Sequence, residues 1–400
     1  MTDTTPPDAA RGAVAMKLAV PMLVLGAALT LLALLSDDGT SRLASGYLIG
    51  FGFVWAIVLG SLFFVALQHV TGSVWSVTMR RVAEMLASKM GLIALLFVPV
   101  AVFAAMGTTF HLFEWTDPKH VTGDPILEGK APYLNIPFWL LRAALFFLLW
   151  TVFAWFFVRQ SLKQDTGEAG VGATVTMRRL SAPFMVLFGL TLTFASFDWL
   201  MSLEPHWFST IYGVYVFSGV TLAGLAAITL AVLAFRKRGW IEPSLLSADH
   251  LYSLGALLFA FTCFWAYIAF SQFMLIWYAN IPEETIWFVK RMQGGWLAVT
   301  WLVAFVRFVV PFFLLLSRDA KSDPKRLKLA AWIILAGQLL DLYWLVAPAH
   351  MEAPKLPLAE VGPALLLSGI LVLFLGRFIS RHRVVAVGDP LIEKSRHFHL

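Results

Sequence analysis

A single cysteine, Cys263, stands in 400 residues. One thiol cannot hold an iron–sulfur cluster, which takes about four cysteine ligands. It also excludes c-type haem attachment, an intrachain disulfide and a cysteine-rich zinc site. Charge is scarce too. Asp, Glu, Lys and Arg make up 14% of the chain, against about 25% in an average soluble domain. So few charges cannot cover the two or three soluble domains that this length would form. Secreted, nucleic-acid-binding and ordinary cytosolic proteins are thereby excluded. Apolar residues fill the space instead: 59% are hydrophobic, and the mean hydropathy is +0.78.

Ten segments reach the roughly 20 apolar residues that a bilayer crossing needs. They are 13–35, 44–69, 88–110, 135–158, 181–203, 210–235, 250–273, 291–316, 328–347 and 361–380. Their length, without strict alternation, indicates helices rather than barrel strands. The expected fold is an all-α polytopic membrane protein. With alternating loops, one side receives 22 Lys and Arg and the other six, which puts both termini in the cytoplasm. The pI of 9.4 is then topological. Lys17 precedes an apolar run as in a signal peptide, but no small-residue cleavage site precedes Ser36-Asp37-Asp38, so the first helix is expected to be retained. Residues 1–12 and 384–400 read as tails that partners would order.

The chain repeats itself. Tyr133-Leu-Asn-Ile-Pro137 recurs as Tyr278-Ala-Asn-Ile-Pro282, and Ala94-Leu-Leu-Phe97 recurs as Ala256-Leu-Leu-Phe259. Asp198 precedes Pro205 by the same spacing as Asp341 precedes Pro348. Helices two to five and six to nine therefore read as two related four-helix bundles. An even number of helices per unit makes them parallel repeats. The chain would divide into a tail (1–12), a first helix and outer loop (13–43), two bundles (44–209 and 210–350), a last helix (351–383) and a tail (384–400).

Charges inside such helices are costly and are candidates for function. Asp198, Ser202 and His206 fall at i, i+4 and i+8, one stripe at the end of the fifth helix. They could relay protons or contact a quinone headgroup; alternatively, Asp198 pairs with Arg142 at similar depth on the fourth helix. Gln338 and Asp341, followed by His350, repeat the pattern on the ninth helix, where a paired, structural Asp341 is the plainer reading. Arg307 lies deep in the eighth helix without a counterpart in the first repeat, and would pair with an Asp or with carbonyls. His111 and Glu114, one turn apart at the outer end of the third helix, form a candidate headgroup-binding pair. Gln68 with His69, and Asp249 with His250, are candidate cytoplasmic entries for protons, or merely interfacial residues.

The nine histidines all fall at predicted helix ends, in loops or in the tail. Facing intrahelical pairs for b haems are missing, and no compact zinc or di-metal spacing occurs. Electrons, if the protein serves redox chemistry, would belong to another chain.

The stretch Phe197-Asp-Trp-Leu-Met-Ser-Leu-Glu-Pro-His-Trp-Phe-Ser-Thr-Ile-Tyr-Gly213 resembles the ActF-type membrane subunit of alternative complex III. That complex is a bacterial quinol oxidoreductase reducing cytochrome c or another high-potential acceptor. The ten-helix plan is similar too, and more distantly resembles the NrfD-like anchors of polysulfide-reductase-type enzymes. The resemblance implies an inner-membrane subunit beside a sister ten-helix quinol-binding subunit, with iron–sulfur and haem c subunits and a terminal oxidase as further partners. It implies no cofactor held covalently or by ligation, and a quinone such as menaquinone as the bound molecule. Asp198, Glu204 and His206 match the motif, and a proton-conducting role would fall on them. A stand-alone proton-coupled transporter and a structural anchor remain the other readings of the residues.

Overall fold

Ten helices long and apolar enough to cross a membrane occur in the computed structural model, which describes residues 9–35 and 39–400. They are α1 (Ala10–Leu34), α2 (Arg42–Val70), α3 (Val77–Ala105), α4 (Ile136–Asp165), α5 (Val171–Leu203), α6 (Tyr212–Lys237), α7 (Ala248–Ala279), α8 (Trp296–Leu314), α9 (Pro324–Ala349) and α10 (Leu358–Arg381). No strand occurs among the described residues. Ser36-Asp37-Asp38 and the first eight residues of the expected N-terminal tail lie outside them. Ten spans running in alternation would bring the two described chain ends to one face, called the basic face below, and the loops after α1, α3, α5, α7 and α9 to the opposite face.

The centre is formed by α2 and α6, the two most enclosed spans. They cross where neither has a side chain. A Cβ on Gly60 would lie 2.1 Å from the Val220 carbonyl oxygen, and one on Gly224 would lie 2.5 Å from the Gly60 carbonyl carbon. Glycine here allows backbone-to-backbone contact, the usual device for close helix packing in a bilayer. Around this pair, α3, α5, α9 and α10 pack on α2, while α5, α7 and α9 pack on α6. The first span lies along α10.

Several boundaries differ from the hydropathy reading. The third span starts at Val77 rather than 88, because Arg80, Arg81 and Glu84 are helical and buried. Arg81 Nε lies 2.9 Å from Glu84 Oε2, and its Nη1 lies 2.9 Å from Asp165 Oδ2 on α4. Mutual neutralisation makes their burial tolerable, whereas a hydropathy window counts them as loop. The fifth span likewise begins at Val171, ten residues early. Within α8, Phe305–Val309 widens to a π segment. Pro311 has no N–H for the Arg307 carbonyl, and its ring crowds that carbonyl. A π bulge relieves both problems.

The C-terminal tail is a correction to the sequence reading. Rather than awaiting a partner, it folds back over the basic face of its own chain. Asp389 is buried and ion-paired with Arg80, the Gly388 amide donates to Asp165 Oδ1 at 3.0 Å, and Ser395 Oγ donates to the Trp75 carbonyl at 3.3 Å. Asp389→Ala leaves Arg80 with Glu84 as its remaining carboxylate. A loss of about 1–3 kcal/mol is expected, read as earlier thermal unfolding in detergent. Unchanged unfolding would show that the tail does not hold the face together.

Candidate functional site

Two arginine–aspartate pairs lie between helices on the side of the opposite face, and they differ in how completely they are satisfied. In the first, Arg142 of α4 grips Asp198 of α5 with both carboxylate oxygens engaged: Nε to Oδ2 at 2.7 Å and Nη2 to Oδ1 at 2.9 Å. Its Nη1 donates to the Tyr133 carbonyl at 3.0 Å, and the guanidinium lies 3.8 Å from the Tyr133 ring centre. The Asp198 carbonyl accepts from Trp139 Nε1 at 2.9 Å and from Ser202 Oγ at 2.7 Å. Bidentate geometry of this kind is strong and directional. The pair is closed.

The expected stripe leading from Asp198 to the surface stops at Ser202. The α-helix runs to Trp199 and a 3-10 turn covers Met201–Leu203, because Pro205 cannot continue the ladder. His206 turns into the loop, with Nε2 at 2.6 Å from Asp124 Oδ2 and Nδ1 at 4.0 Å from Glu114 Oε2. Its hydrogen bond holds the Asp124 carboxyl below the usual range. Glu204 points away from Asp198, to Arg291 Nη2 at 2.7 Å and Lys290 Nζ at 3.6 Å. His111 and Glu114 are not one helical turn apart, since α3 ends at Ala105. His111 takes a left-handed conformation (φ 48°) and faces Asp117 at 4.0 Å, while Glu114 faces His206.

The second pair is looser. Arg307 Nη1 lies 3.5 Å from Asp341 Oδ2 and donates to Gln338 Oε1 at 2.6 Å. The Tyr215 hydroxyl on α6 donates to Asp341 Oδ1. All four side chains are buried, and the guanidinium lies 4.7 Å from the Trp265 ring centre. Arg307 Nε and Nη2 have no hydrogen-bond partner among the described residues. Arg307 and Arg142 thus do correspond in role, each reaching from the third helix of its expected unit to an aspartate on the fourth. The alignment of sequence motifs concealed this, because the first Tyr-x-Asn-Ile-Pro motif opens α4 directly while the second opens a separate helix, Pro282–Lys290, ahead of α8.

Beside the looser pair a cavity of about 500 Å³ opens between α7 and α8, with Tyr215 and Trp265 in its wall. Phe270 and Trp301 form its rim, 62% and 69% exposed. The buried Gln272 lines it, and its Nε2 has no hydrogen-bond partner among the described residues. A cavity of this size with a few polar groups in apolar walls suits a flat, mostly apolar ligand. Tyr215 and Gln272 went unremarked in the sequence. The visible signal was Gln272, an amide inside an apolar run, of the kind that needs a partner in a bilayer.

His350 is enclosed at the end of α9. Burial, reinforced by the Lys290 ammonium, pushes its imidazole down to about 4, so it is uncharged at neutral pH. The candidate entries on the basic face differ in their surroundings: Gln68 lines a groove with Ser253 and Leu257 of α7, and Asp249 is partly exposed. His69 is buried and stacked on Phe157. His250 accepts from the Ser247 amide at 3.2 Å as part of a capping box at the start of α7, with Phe398 of the tail against its ring. Asp249 lies 3.5 Å from His399, and Gln68 is buried at the end of α2. Among the described residues, no group of three His, Cys, Asp or Glu is gathered to hold a metal ion.

Arg291 is the functional-looking residue that sequence reading most clearly missed. Counted only among the charges of the outer face, it is fully buried and packed 3.5 Å from the Trp287 ring centre. In comparisons with known proteins, no family model and no curated protein matches the chain.

Proposed function

We propose that this chain is an integral membrane subunit of a respiratory quinol-oxidising complex, without a redox centre of its own, in which the cavity between α7 and α8 receives the quinone ring. The observation that carries the proposal is the incompletely satisfied Tyr215–Asp341–Arg307 cluster beside a cavity whose rim, Phe270 and Trp301, is exposed. A quinol entering from the bilayer meets aromatic walls, the Gln272 amide as donor to a ring oxygen, and the Tyr215 hydroxyl. Oxidation of the quinol releases two protons with its two electrons. The first passes to Tyr215 as Tyr215 passes its own to Asp341, and the second follows by the same path once Asp341 has handed on the first. The electrons go to partner subunits carrying haem c and iron–sulfur centres. The likeness of the Phe197–Gly213 stretch to the ActF-type subunit supports membership of such a complex, but not the choice of Asp341 over Asp198, which rests on the cavity alone. On this proposal the basic face is cytoplasmic, and the cavity lies in the outer half of a bacterial inner membrane.

Affinity purification from native membranes tests the assignment. Haem c and iron–sulfur subunits are expected to accompany the chain, together with a sister polytopic subunit. Recovery as a single species that moves a solute with protons in vesicles would overturn it in favour of a transporter.

A further inference from the structure

Near the basic face, α3 breaks between Ala87 and Met90, and a groove of about 490 Å³ opens there against α4. Gly91, Val158 and Leu162 lie along its apolar part, and Arg159, Lys163 and Glu168 stand at its mouth. At about 1.5 Å per residue, the 30 residues of α4 exceed the roughly 30 Å of a hydrocarbon core. The last turns of α4, which carry Arg159 and Lys163, therefore stand at headgroup level.

The two cations lack the compensation found elsewhere on this face. Arg80 and Arg81 are each matched by carboxylates within the chain. Neither Arg159 nor Lys163 has an ion pair with a carboxylate among the described residues. The Arg159 guanidinium lies 4.8 Å from the Trp155 ring centre, an arrangement that holds it at the interface. Glu168 forms no ion pair with either of them, so both positive charges remain available to a ligand.

We infer that this groove is a binding site for an anionic phospholipid, with its phosphate between Arg159 and Lys163 and one acyl chain along Gly91, Val158 and Leu162. Charge complementarity selects the headgroup. The apolar slot selects a lipid over a free anion. Gly91 keeps the slot wide: a Cβ there would meet its nearest neighbour, Thr151 Cγ2, at an ordinary 3.7 Å. A larger side chain at this helical position would fill the slot without straining the backbone.

The test uses the full chain, extracted with its native assembly, delipidated and placed in nanodiscs containing phosphatidylglycerol and phosphatidylcholine. Native mass spectrometry counts the lipids that remain bound. Phosphatidylglycerol is expected to be retained over phosphatidylcholine, with retention reduced about thirtyfold by Arg159→Gln with Lys163→Gln. Gly91→Leu is expected to reduce it comparably with both charges intact, which keeps the test valid if the double variant does not fold. Excess inorganic phosphate should not displace the lipid. Equal retention of both lipids, or retention unchanged by Gly91→Leu, would overturn the inference. Loss of retention in the charge variant alone, with displacement by phosphate, would make this a free-anion site and overturn it equally.

Discussion

Asp341→Asn is expected to remove most quinol-dependent electron transfer from the assembled complex, by about 100-fold or more if Asp341 is the proton acceptor. It is also expected to destabilise the chain by about 3–5 kcal/mol, because Arg307 keeps its charge in a buried site. Two causes of lost activity are thus mixed in the single variant. Asp341→Asn combined with Arg307→Gln separates them by restoring neutrality. Thermal unfolding of the double variant should return most of the way to that of the natural chain. Activity should stay low, since no carboxylate is left to take the proton from Tyr215. If activity returns together with stability, Asp341 is structural and the proposed proton path fails.

The corresponding double variant of the first pair, Asp198→Asn with Arg142→Gln, supplies the contrast. Asp198 has both oxygens on Arg142 and lines none of the cavities described. Its neutral replacement is expected to leave electron transfer close to the natural rate, because neither Asp198 nor Arg142 lines the cavity that holds Tyr215. A large loss of activity in this double variant, with its stability retained, would move the proton path to the first pair. The resemblance to the ActF-type motif points at Asp198, while the geometry of the cavity points at Asp341. Measuring both variants decides between them.

Much of the architecture was legible because bilayer crossing is a one-dimensional constraint. Ten runs of sufficient length and hydropathy appear in the chain, and ten candidate spans appear in the structure. Boundaries were lost where charges neutralise one another across space. Arg80, Arg81 and Glu84 look like loop in isolation, yet they are tolerated inside α3 because Asp165 and Asp389 come from far along the chain. The tail was misread for the same reason: its polar sequence does not announce that Asp389 will meet Arg80. Repeated motifs also mislead locally. Asn135 caps α4 through the Phe138 amide, whereas Asn280 ends α7 with a φ of 51°, and Pro282 opens a separate helix, Pro282–Lys290. Asp341 could be named from its depth, but its relation to Tyr215 and Gln272 required three helices to be brought together.

Arg291→Met is expected to be among the most destabilising single substitutions in the chain. Pro348 leaves the Trp344 carbonyl without its helical donor, and Arg291 Nε supplies one at 3.2 Å. Its Nη2 donates to the Leu345 carbonyl at 2.9 Å and to Glu204 at 2.7 Å, while Nη1 reaches the Trp287 carbonyl at 3.1 Å. One guanidinium therefore closes the end of α9, where a cation also suits the helix dipole, and ties it to the end of α5 through Glu204. Methionine would fill similar space but leave these carbonyls and a half-buried carboxylate unpaired, at about 3–5 kcal/mol for the broken pair. Arg291→Lys should recover little of this, because an ammonium cannot span the same set of acceptors as a planar fork. Glu204→Gln should be milder, since the amide oxygen can still accept from Arg291. The ordering Met and Lys well below Gln, read by unfolding in detergent and by hydrogen exchange in the last turn of α9, distinguishes a multidentate cap from a simple ion pair. If Arg291→Lys were as stable as the natural chain, the charge alone would account for the residue and the capping argument would fall.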